Sequence, residues 1–328
     1  MERHKILTFI LLLGVAAIFF FLLLLSHSGY FEMYHIEEAS YVNSQKHNGN
    51  WKTIENTRFA MFILKDSNKR ISNDTISWIY GREYDGKFRD PGKKDDDVDT
   101  TYNAVVALNY VNRIPAQGEK TVEWLKYCQN YDGGFGYSIG EGSNMMATYH
   151  AIKALHLLGS EPDDVEGAIR WINERQNTDG GFAVSHEYDD SLMMSTYYAV
   201  SALDVMGEQP GRSYAVIRYV KSLQSYDGGF FGSRNPDILK KYFILGGDAD
   251  MTPQEEQALG RPNIGWTSDA VRILEILGTS PENTTSAVKW IKKCRKPDGG
   301  YGWEPGGLSD VAATYDAYVA LKTLENLE

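Results

Sequence analysis

Apolar residues recur along most of this chain at the three- and four-residue spacing of helices, in segments that come in pairs. The first member of a pair has one apolar face, as in Val122, Leu125 and Cys128, and one face of Glu, Lys and Arg. The second member, as in 101–108, is rich in Ala, Thr and aromatic residues on nearly all sides. Because a helix that is apolar all round is buried, each pair predicts an outer and an inner helix.

A short glycine-rich turn separates the two members of each pair. It reads Asp-Gly-Gly followed by an aromatic residue, and the first two intervals between copies are 47 and 48 residues. The third interval is 71 residues, which indicates one repeat plus an insertion at 231–262. The four copies begin at Asp132, Asp179, Asp227 and Asp298, and degenerate copies at Asp85 and Asn48 extend the series to a fifth and a sixth repeat.

The Asp-Gly-Gly turn is interpreted as architecture and not as a catalytic loop. Its aspartate supplies a local hydrogen-bond acceptor, and its two glycines can adopt the positive φ that a tight turn out of the outer helix needs. The aromatic residue that follows can pin the loop onto the core. Several identical catalytic loops in one small ring would have no comparable explanation.

Helical hairpins of this length either stack into an open solenoid with polar caps or close into a ring. The last repeat ends at 324–328 without a polar capping helix, and six hairpins suffice for closure. The predicted fold class is therefore all-α, an α/α toroid over residues 36–328. Its inner helices would line a central cavity.

The N-terminus carries an uncharged apolar run of 20 residues from Ile6 to Leu25, preceded by Arg3 and Lys5. This length spans a bilayer, and the positive flank predicts a cytoplasmic segment at 1–5, a membrane anchor at 6–25 and a tether at 26–35. The toroid would then lie outside the cytoplasm, at the cell membrane. A cleaved signal peptide is the alternative, although its apolar region is usually shorter and ends in a small-residue site.

Net charge and cysteine positions give two further predictions, one about partners and one about disulfides. The net charge of −11 argues against nucleic acid as a partner. The two cysteines, Cys128 and Cys294, fall in the third and sixth repeats, on opposite sides of a six-unit ring. We therefore expect no disulfide between them.

With these turns followed by Thr-Tyr-x-Ala-x-x-Ala-Leu segments, the chain resembles the prenyltransferase and squalene oxidase repeat family, which includes protein prenyltransferase β-subunits and terpene cyclases. The resemblance implies an isoprenoid or other lipid-like ligand, and it leaves a protein partner open. The zinc positions of the prenyltransferases fall on Asn263, Gly265 and Ala313, none of which is a usual zinc ligand. We expect no zinc cofactor and no zinc-dependent thiol prenylation.

Terpene cyclases of class II use an Asp-x-Asp-Asp-Thr stretch, and this chain has a similar acidic run at 95–99. The resemblance implies catalytic roles for Asp97 and Asp99, with Asp99 as the proton donor. Acidic residues at a helix N-terminus are also explained as caps that favour the helix dipole, and this explanation has the greater weight.

The third residue of the Thr-x-x-Ala segment differs from repeat to repeat and is the candidate lining of the cavity. If it faces the lumen, it forms a ligand-binding set together with Trp266. The alternative is hydrogen bonding between inner helices, which we favour for the histidine, and the neighbouring tyrosines are expected to pack between helices. The candidate positions are Asn103, His150, Tyr198, Asp269 and Asp316.

Three functions follow from these observations. The preferred one is a membrane-anchored toroid that binds an isoprenoid or other lipid-like ligand in its central cavity, as a transferase, a cyclase or a binding protein. The second is a non-catalytic extracytoplasmic interaction module. The third is a polysaccharide-active enzyme, which would need two carboxyl groups across an open cleft.

Overall fold

A computed structural model describes residues 37–48, 50–93, 97–245 and 258–327. These residues are mainly helical, and one small hairpin pairs β1 (Glu83–Tyr84) with β2 (Lys87–Phe88). A helix at 37–44 comes first. The remaining helices are α1 (Ile54–Asp66), α2 (Asn73–Tyr80), α3 (Val98–Asn109), α4 (Gly118–Tyr127), α5 (Met145–Leu157), α6 (Val165–Glu174), α7 (Met193–Val205), α8 (Ser213–Lys221), α9 (Pro236–Leu245), α10 (Ile264–Ile276), α11 (Thr284–Lys293) and α12 (Val311–Asn326).

The second helix of each predicted pair belongs to an inner ring. These helices are α1, α3, α5, α7, α10 and α12, and each packs against the next one in the ring. The ring closes because α12 also packs against α1. The predicted α/α toroid is thus confirmed, and an open solenoid is excluded.

The first helix of each pair lies outside this ring and packs on the inner helix of its own repeat, as α6 does on α7. Only one of its faces is buried, and in α6 that face includes Ala168, Trp171 and Ile172. Helix α9 belongs to the insertion predicted at 231–262. Residues 246–257 of the insertion lie outside the described residues.

Each Asp-Gly-Gly turn packs against the outer helix of the following repeat. Gly180 has φ +102°, and a Cβ there would lie 2.1 Å from the carbonyl oxygen of Ala215 on α8. The last turn closes the outer layer in the same way, because Gly299 abuts Glu37 of the first helix. The turn therefore joins neighbouring repeats as well as the two helices of one repeat.

One hydrogen bond recurs between the aromatic residue after the turn and the inner helix. The backbone N–H of Phe182 donates to the Thr196 hydroxyl at 3.0 Å, and the same bond occurs in the most degenerate repeat, from Trp51 to Thr57 at 3.3 Å. The described residues thus contain the sixth repeat that the sequence predicts. The other four pairs are Phe88 with Thr101, Phe135 with Thr148, Phe230 with Thr267 and Tyr301 with Thr314.

Two further predictions concern the cysteines and the membrane. Cys128 and Cys294 are both buried, and neither forms a disulfide. Within the described part of the chain, every helix is too short or too polar to span a bilayer. The anchor predicted at 6–25 and the tether at 26–35 lie outside the described residues.

Candidate functional site

The inner helices turn one face toward the interior of the ring. In the first nine residues of α10 and of α12, the accessible residues recur at intervals of four and three, whereas the residues between them are buried. Since the rest of these two segments is covered, this face borders an internal lumen. The accessible positions are Gly265, Asp269 and Arg272 on α10, and Ala312, Asp316 and Val319 on α12.

Aligning the repeats on their threonines divides the lumen face into three levels, named from the end at which the inner helices begin. The mouth level consists of Glu55, Asp99, Met146, Met194, Gly265 and Ala312. The middle level is the varied position predicted from the sequence, together with its equivalent in α1: Phe59, Asn103, His150, Tyr198, Asp269 and Asp316. The deep level consists of Phe62, Val106, Lys153, Ser201, Arg272 and Val319.

On α3, α5 and α12, the residue before the middle-level position contacts the middle-level residue of the next helix. Tyr102 stacks on His150, with ring centroids 4.1 Å apart, and Tyr149 stacks on Tyr198 at 5.6 Å. The series passes the closure point of the ring, where Tyr315 of α12 stacks on Phe59 of α1 at 4.4 Å. The tyrosines therefore pack between inner helices, as predicted, and part of the lumen has an aromatic wall.

Arg58 occupies the tyrosine position in α1 and makes the same contact with a hydrogen bond. Its Nε donates to Oδ1 of Asn103 at 2.6 Å, while Nδ2 of Asn103 donates to Oδ1 of Asp99 at 3.1 Å. Asn103 thus bonds between adjacent inner helices, the alternative considered for this position. Arg58 also lies 4.2 Å from the ring of Phe59.

Asp99 faces the lumen beside His150, whose Nδ1 lies 3.1 Å from its Oδ1. Burial raises the pKa of Asp99, but the contact with His150 and the positive charge of Lys93 outweigh burial, so the pKa lies below its ordinary value. A general acid has to hold its proton near neutral pH. The structure therefore favours an ionised Asp99 and gives no support to its predicted role as the proton donor.

Asp97 acts as the N-cap of α3. Its Oδ1 accepts from the backbone N–H of Thr100 at 2.6 Å, and its Oδ2 lies 3.2 Å from Nζ of Lys93. The capping explanation thus accounts for its position. The aspartates at 95 and 96 lie outside the described residues.

A cavity of about 810 Å³ opens beside the start of α3. Asp97 and Asp99 border it, together with Trp124, Tyr137 and Ile139. This volume is in the range of small-molecule sites. The predicted catalytic pair is therefore brought together at an open cavity, although Asp97 is engaged in capping.

Three other lumen carboxyl groups have the opposite electrostatic character. Burial and the charge of Asp316 hold the pKa of Asp269 well above its ordinary value. Burial also raises the pKa of Asp316 to about 6, against the opposing charges of Arg272 and Arg58. At the mouth, Glu55 is reached by solvent, yet the surrounding walls desolvate it and, with the charge of Asp99, raise its pKa to about 7.

Sequence reasoning did not single out Glu55 or the two basic lumen residues Lys153 and Arg272, nor Arg58, which lies one position before the lumen face. The signal was present, because aligning Thr57 with Thr101 places Glu55 at the position of Asp99. It was missed because only one position of each inner helix was followed. The structure shows that residues four before and three after that position share its face.

Trp266 was predicted to bind ligand, but the structure does not bring it to the lumen face. Its indole packs against Gly232 in the hydrophobic core, and a Cβ on that glycine would lie 2.5 Å from the ring. Trp266 is one residue after Gly265, so it points about 100° away from the lumen. Its position is explained by packing.

The three zinc positions do not form a donor set. The side-chain oxygen of Asn263 caps α10 by accepting from the backbone N–H of Trp266 at 2.9 Å, while Gly265 and Ala313 offer no donor atom. Among the described residues, no three His, Cys, Asp or Glu side chains are placed to hold a metal ion. These residues do not fit the zinc site of the protein prenyltransferases.

The sequence matches the family described as the prenyltransferase alpha-alpha toroid domain over residues 17–184 and 183–328. No curated protein matches the chain. Among solved structures, the chain is similar to Candida albicans protein geranylgeranyltransferase-I complexed with GGPP. That similarity has a TM-score of 0.68 at 15% identity and covers 89% of this chain and 91% of the other.

Two terpene synthase structures show the same fold. The type II terpene cyclase MstE from Scytonema has a TM-score of 0.59 at 11% identity, over 89% of this chain and 96% of the other. The ent-copalyl diphosphate synthase from Streptomyces platensis has a TM-score of 0.51 at 17% identity, over 89% of this chain and 50% of the other. At these identities the similarities establish the fold and not the activity.

Proposed function

The chain belongs to the prenyltransferase alpha-alpha toroid family, and on that premise we propose that it binds an isoprenoid or other lipid-like ligand in the lumen of the toroid. The observation that carries this proposal is the partly accessible stretch of the lumen face on α5, α7, α10 and α12. Met146, Met194, Tyr198, Asp269, Arg272 and Asp316 are partly accessible there, whereas Phe59, Asn103 and His150 are buried.

The distribution of side chains in the lumen suits a long amphipathic molecule. At the mouth level, Met146 and Met194 present an apolar edge on α5 and α7, opposite in character to Glu55 and Asp99 on α1 and α3. Methionine adapts to irregular apolar shapes, and stacked aromatic rings provide large apolar surfaces. The stacked rings of Tyr149 and Tyr198 continue this edge into the middle level.

Similar proteins bind ligands of this class. One solved structure is a geranylgeranyltransferase-I complexed with GGPP. Another is the cyclase variant MstE_D109N in complex with geranylgeranyl dihydroxybenzoate, with a TM-score of 0.53 at 10% identity. The present chain shares their fold, which supports the ligand class while leaving the ligand itself to experiment.

Binding can be tested on the full chain in a neutral detergent with geranylgeraniol as the probe, measured by native mass spectrometry and by quenching of tryptophan fluorescence. Ala312→Trp places a large side chain on the lumen face at the mouth, and we expect at least about tenfold weaker binding. The matched control is Lys289→Trp on the exposed face of α11. Binding that is absent in the unmodified protein, or equal in the two variants, would contradict the proposal.

The chemistry that the lumen best supports is proton donation to the bound chain. Asp269 is the donor of choice, because burial and the charge of Asp316 raise its pKa well above the ordinary value. Asp269→Asn should then abolish any acid-catalysed rearrangement of a bound polyprene and leave its binding intact. Product analysis by gas chromatography with mass spectrometry distinguishes the two effects.

Action on a polysaccharide is the second candidate function, and one specific observation favours it. Glu55 and Asp99 occupy equivalent positions on adjacent inner helices. The surrounding walls desolvate Glu55 and raise its pKa to about 7, whereas the pKa of Asp99 is lowered, chiefly through His150 against the effect of burial. One neutral and one ionised carboxyl group are the requirement for glycoside hydrolysis. Release of reducing sugars that is lost in Glu55→Gln would favour this candidate.

We also propose that residues 6–25 anchor the protein in the cell membrane with the toroid on the extracytoplasmic side. The uncharged run from Ile6 to Leu25 and the positive flank of Arg3 and Lys5 support this orientation. In intact bacterial cells that express the full chain, added protease should then degrade the toroid. A toroid that is protected in intact cells and digested only after lysis would contradict the orientation.

A further inference from the structure

The loops that follow the inner helices form the face of the toroid opposite the mouth, here called the deep face. The start of α4 borders the same groove as Leu157 and Leu158 at the end of α5. The outer helices therefore also begin at the deep face. Its loops within the described residues are 67–72, 110–117, 158–164, 206–212 and 277–283.

The first described helix, 37–44, is the outer helix of the first repeat, and one contact fixes its register. Gly299 of the last turn abuts Glu37. The equivalent glycine of the third repeat, Gly133, abuts Gly167, which is the third residue of α6. Glu37 thus corresponds to the third residue of an outer helix, close to the end that lies at the deep face.

The proposed anchor at 6–25 is joined to this helix by residues 26–36. Eleven residues span at most about 40 Å when fully extended. An anchored toroid is therefore held near the bilayer. Since its point of attachment lies at the deep face, this face is the one brought nearest to the lipid.

Charges are segregated on the deep face. The loops after α1 and α3 carry only basic residues, whereas the loop after α5 carries only acidic ones. The three bases are exposed, and none of them forms an ion pair with another described residue. Because α1 packs against α3, the two basic loops are neighbours and form one basic sector. The bases are Lys69, Arg70 and Arg113, and the acids are Glu161, Asp163 and Asp164.

An apolar surface adjoins the basic sector. Ile114 follows Arg113 directly and is 63% exposed. Its carbonyl oxygen accepts from the Tyr80 hydroxyl at 2.9 Å, which holds the loop against α2. Beside Ile114 lies a groove of about 590 Å³, whose walls include Pro115 and Leu157. Exposed apolar surface and unpaired cations thus occur together.

The mouth also exposes apolar side chains, but its loops have the opposite charge. Leu308 is 90% exposed there. The loops 183–192 and 302–310 carry five carboxylates and no lysine or arginine, and two of the five, Asp190 and Glu304, have a basic partner. An anionic lipid surface repels such loops and attracts the basic sector.

We propose that the basic sector and Ile114 dock the toroid on the surface of an anionic lipid bilayer. The proposal rests on the membrane anchor proposed above. Basic residues beside an apolar side chain are the combination that binds at such an interface. Because salt screens charges beyond about 8 Å at physiological ionic strength, the sector and not the net charge of −11 determines the attraction. The mouth then opens away from the bilayer, so its ligand has to arrive from that side.

The test uses the full chain reconstituted in liposomes of phosphatidylcholine and phosphatidylglycerol, with and without a nitroxide-labelled lipid. An environment-sensitive fluorophore is attached at Ile114→Cys or, as the control on the mouth, at Leu308→Cys. Cys128 and Cys294 are buried, which directs the label to the introduced cysteine. We expect the label at position 114 to shift its emission to shorter wavelength and to be quenched by the nitroxide lipid, because interfacial apolar groups lie about 5 to 10 Å into the headgroup boundary. The label at position 308 should do neither.

Charge reversal tests the electrostatic part of the proposal. Adding Arg113→Glu to the labelled Ile114→Cys protein should lower the ratio of docked to undocked protein about tenfold or more. High salt should act in the same direction. Arg218→Glu, at an exposed arginine of outer helix α8, is the matched control and should leave the quenching unchanged.

Flotation of the liposomes after an alkaline wash separates the anchor from the docking. A chain that does not float contradicts both. A chain that floats while the label at position 114 stays unquenched contradicts the docking alone, and a label that is shifted but unquenched would mean that another protein surface covers Ile114. Quenching at position 308 in place of 114 would show that the mouth faces the bilayer, and this result also overturns the proposal.

Discussion

The turns and the lumen face differ in how their chemistry is distributed over the repeats. In every turn, the backbone N–H of the aromatic residue donates to a threonine hydroxyl of the inner helix, as from Phe182 to Thr196. The lumen face has a different side chain in nearly every repeat, and at the middle level His150, Tyr198 and Asp269 follow one another. The molecule therefore combines a uniform outer framework with an irregular interior.

The turns are uniform because the fold requires them, whereas the lumen positions can vary between repeats without changing the fold. Closing the ring poses the same geometric problem in each repeat, so the same turn solves it each time. Some lumen positions oppose stability, since burial raises the pKa of Asp269 and Asp316 and disfavours their charged forms. Groups that cost stability and vary between repeats are the ones to examine for function.

The largest effect is expected at a turn glycine. Gly180→Ala would place a Cβ 2.1 Å from a backbone oxygen at φ +102°, so we expect a loss of about 3 to 5 kcal/mol in the free energy of unfolding, measured by chemical denaturation. The control is Gly159→Ala, which shares a positive φ of +72° but has open space around it. Its cost should be about 1 kcal/mol. Equal losses would mean that backbone conformation, and not the contact between repeats, limits these turns.

The turn aspartate should have the next largest effect. Oδ1 of Asp132 accepts from the N–H of Gly134 at 3.0 Å, and its Oδ2 accepts from Nε1 of Trp171 on the next outer helix at 2.9 Å. Asp132→Ala leaves these donors unpaired, so we expect a loss of about 2 to 3 kcal/mol. Asp163→Ala, which removes only an exposed ion pair with Lys126, should cost less than about 1 kcal/mol. Similar losses in the two variants would show that the bonds between repeats add nothing.

The repetitive part of the molecule could be predicted from the sequence, and the reason is physical. Periodic turns and inner segments rich in Ala, Thr and aromatic residues are local patterns, and their number favours closure of the ring. The threonine that precedes each varied position, such as Thr148, was visible as a repeated residue, although its bond to Phe135 was not. The uniform framework is encoded locally and repeatedly.

The lumen could be predicted only in part, because its electrostatics depend on contacts between helices. The local acidic run implies a donor role for Asp99, but its pKa depends on burial and on His150, which lies 51 residues later and on the adjacent helix. Asp269 and Asp316 were selected as lumen residues without any indication of their pKa. Burial inside a closed ring produces those shifts, and a linear pattern does not contain it.

The pH dependence of stability tests whether burial in the lumen destabilises the charged form of Asp316. Burial raises the pKa of Asp316 to about 6, against about 4 in an unfolded chain, so the folded state binds the proton more strongly. The free energy of unfolding should therefore fall as the pH rises from about 4 to about 6. Asp316→Asn removes this contribution, and we expect the variant to be more stable than the unmodified protein by about 1 to 2 kcal/mol at pH 8.

At pH 4 the difference between Asp316→Asn and the unmodified protein should nearly vanish. Chemical denaturation at the two pH values measures both expectations, and Glu208→Gln, at an exposed glutamate, is the control. The pKa of Glu55 is raised to about 7 by desolvation from the surrounding walls and by the charge of Asp99, so Glu55 should extend the fall in the free energy of unfolding of the unmodified protein to that pH. A variant that is less stable at pH 8 would mean that Asp316 is stabilised as a carboxylate by Arg272 and Arg58.

The smallest effect concerns Asp97, which stands where the framework meets the candidate site. Its Oδ1 caps α3 through the N–H of Thr100, and the exposed Lys93 pairs with its Oδ2. Asp97→Ala should therefore cost about 1 kcal/mol, and Asp97→Ser, which keeps a capping oxygen, should cost less than about 0.5 kcal/mol. Lys93→Met reports the ion pair alone and should change little. If Asp97→Ser is as unstable as Asp97→Ala while Lys93→Met reproduces the loss, the ion pair and not the cap determines the contribution of Asp97 to stability. Asp97 would then again be a candidate for a role in the cavity that it borders.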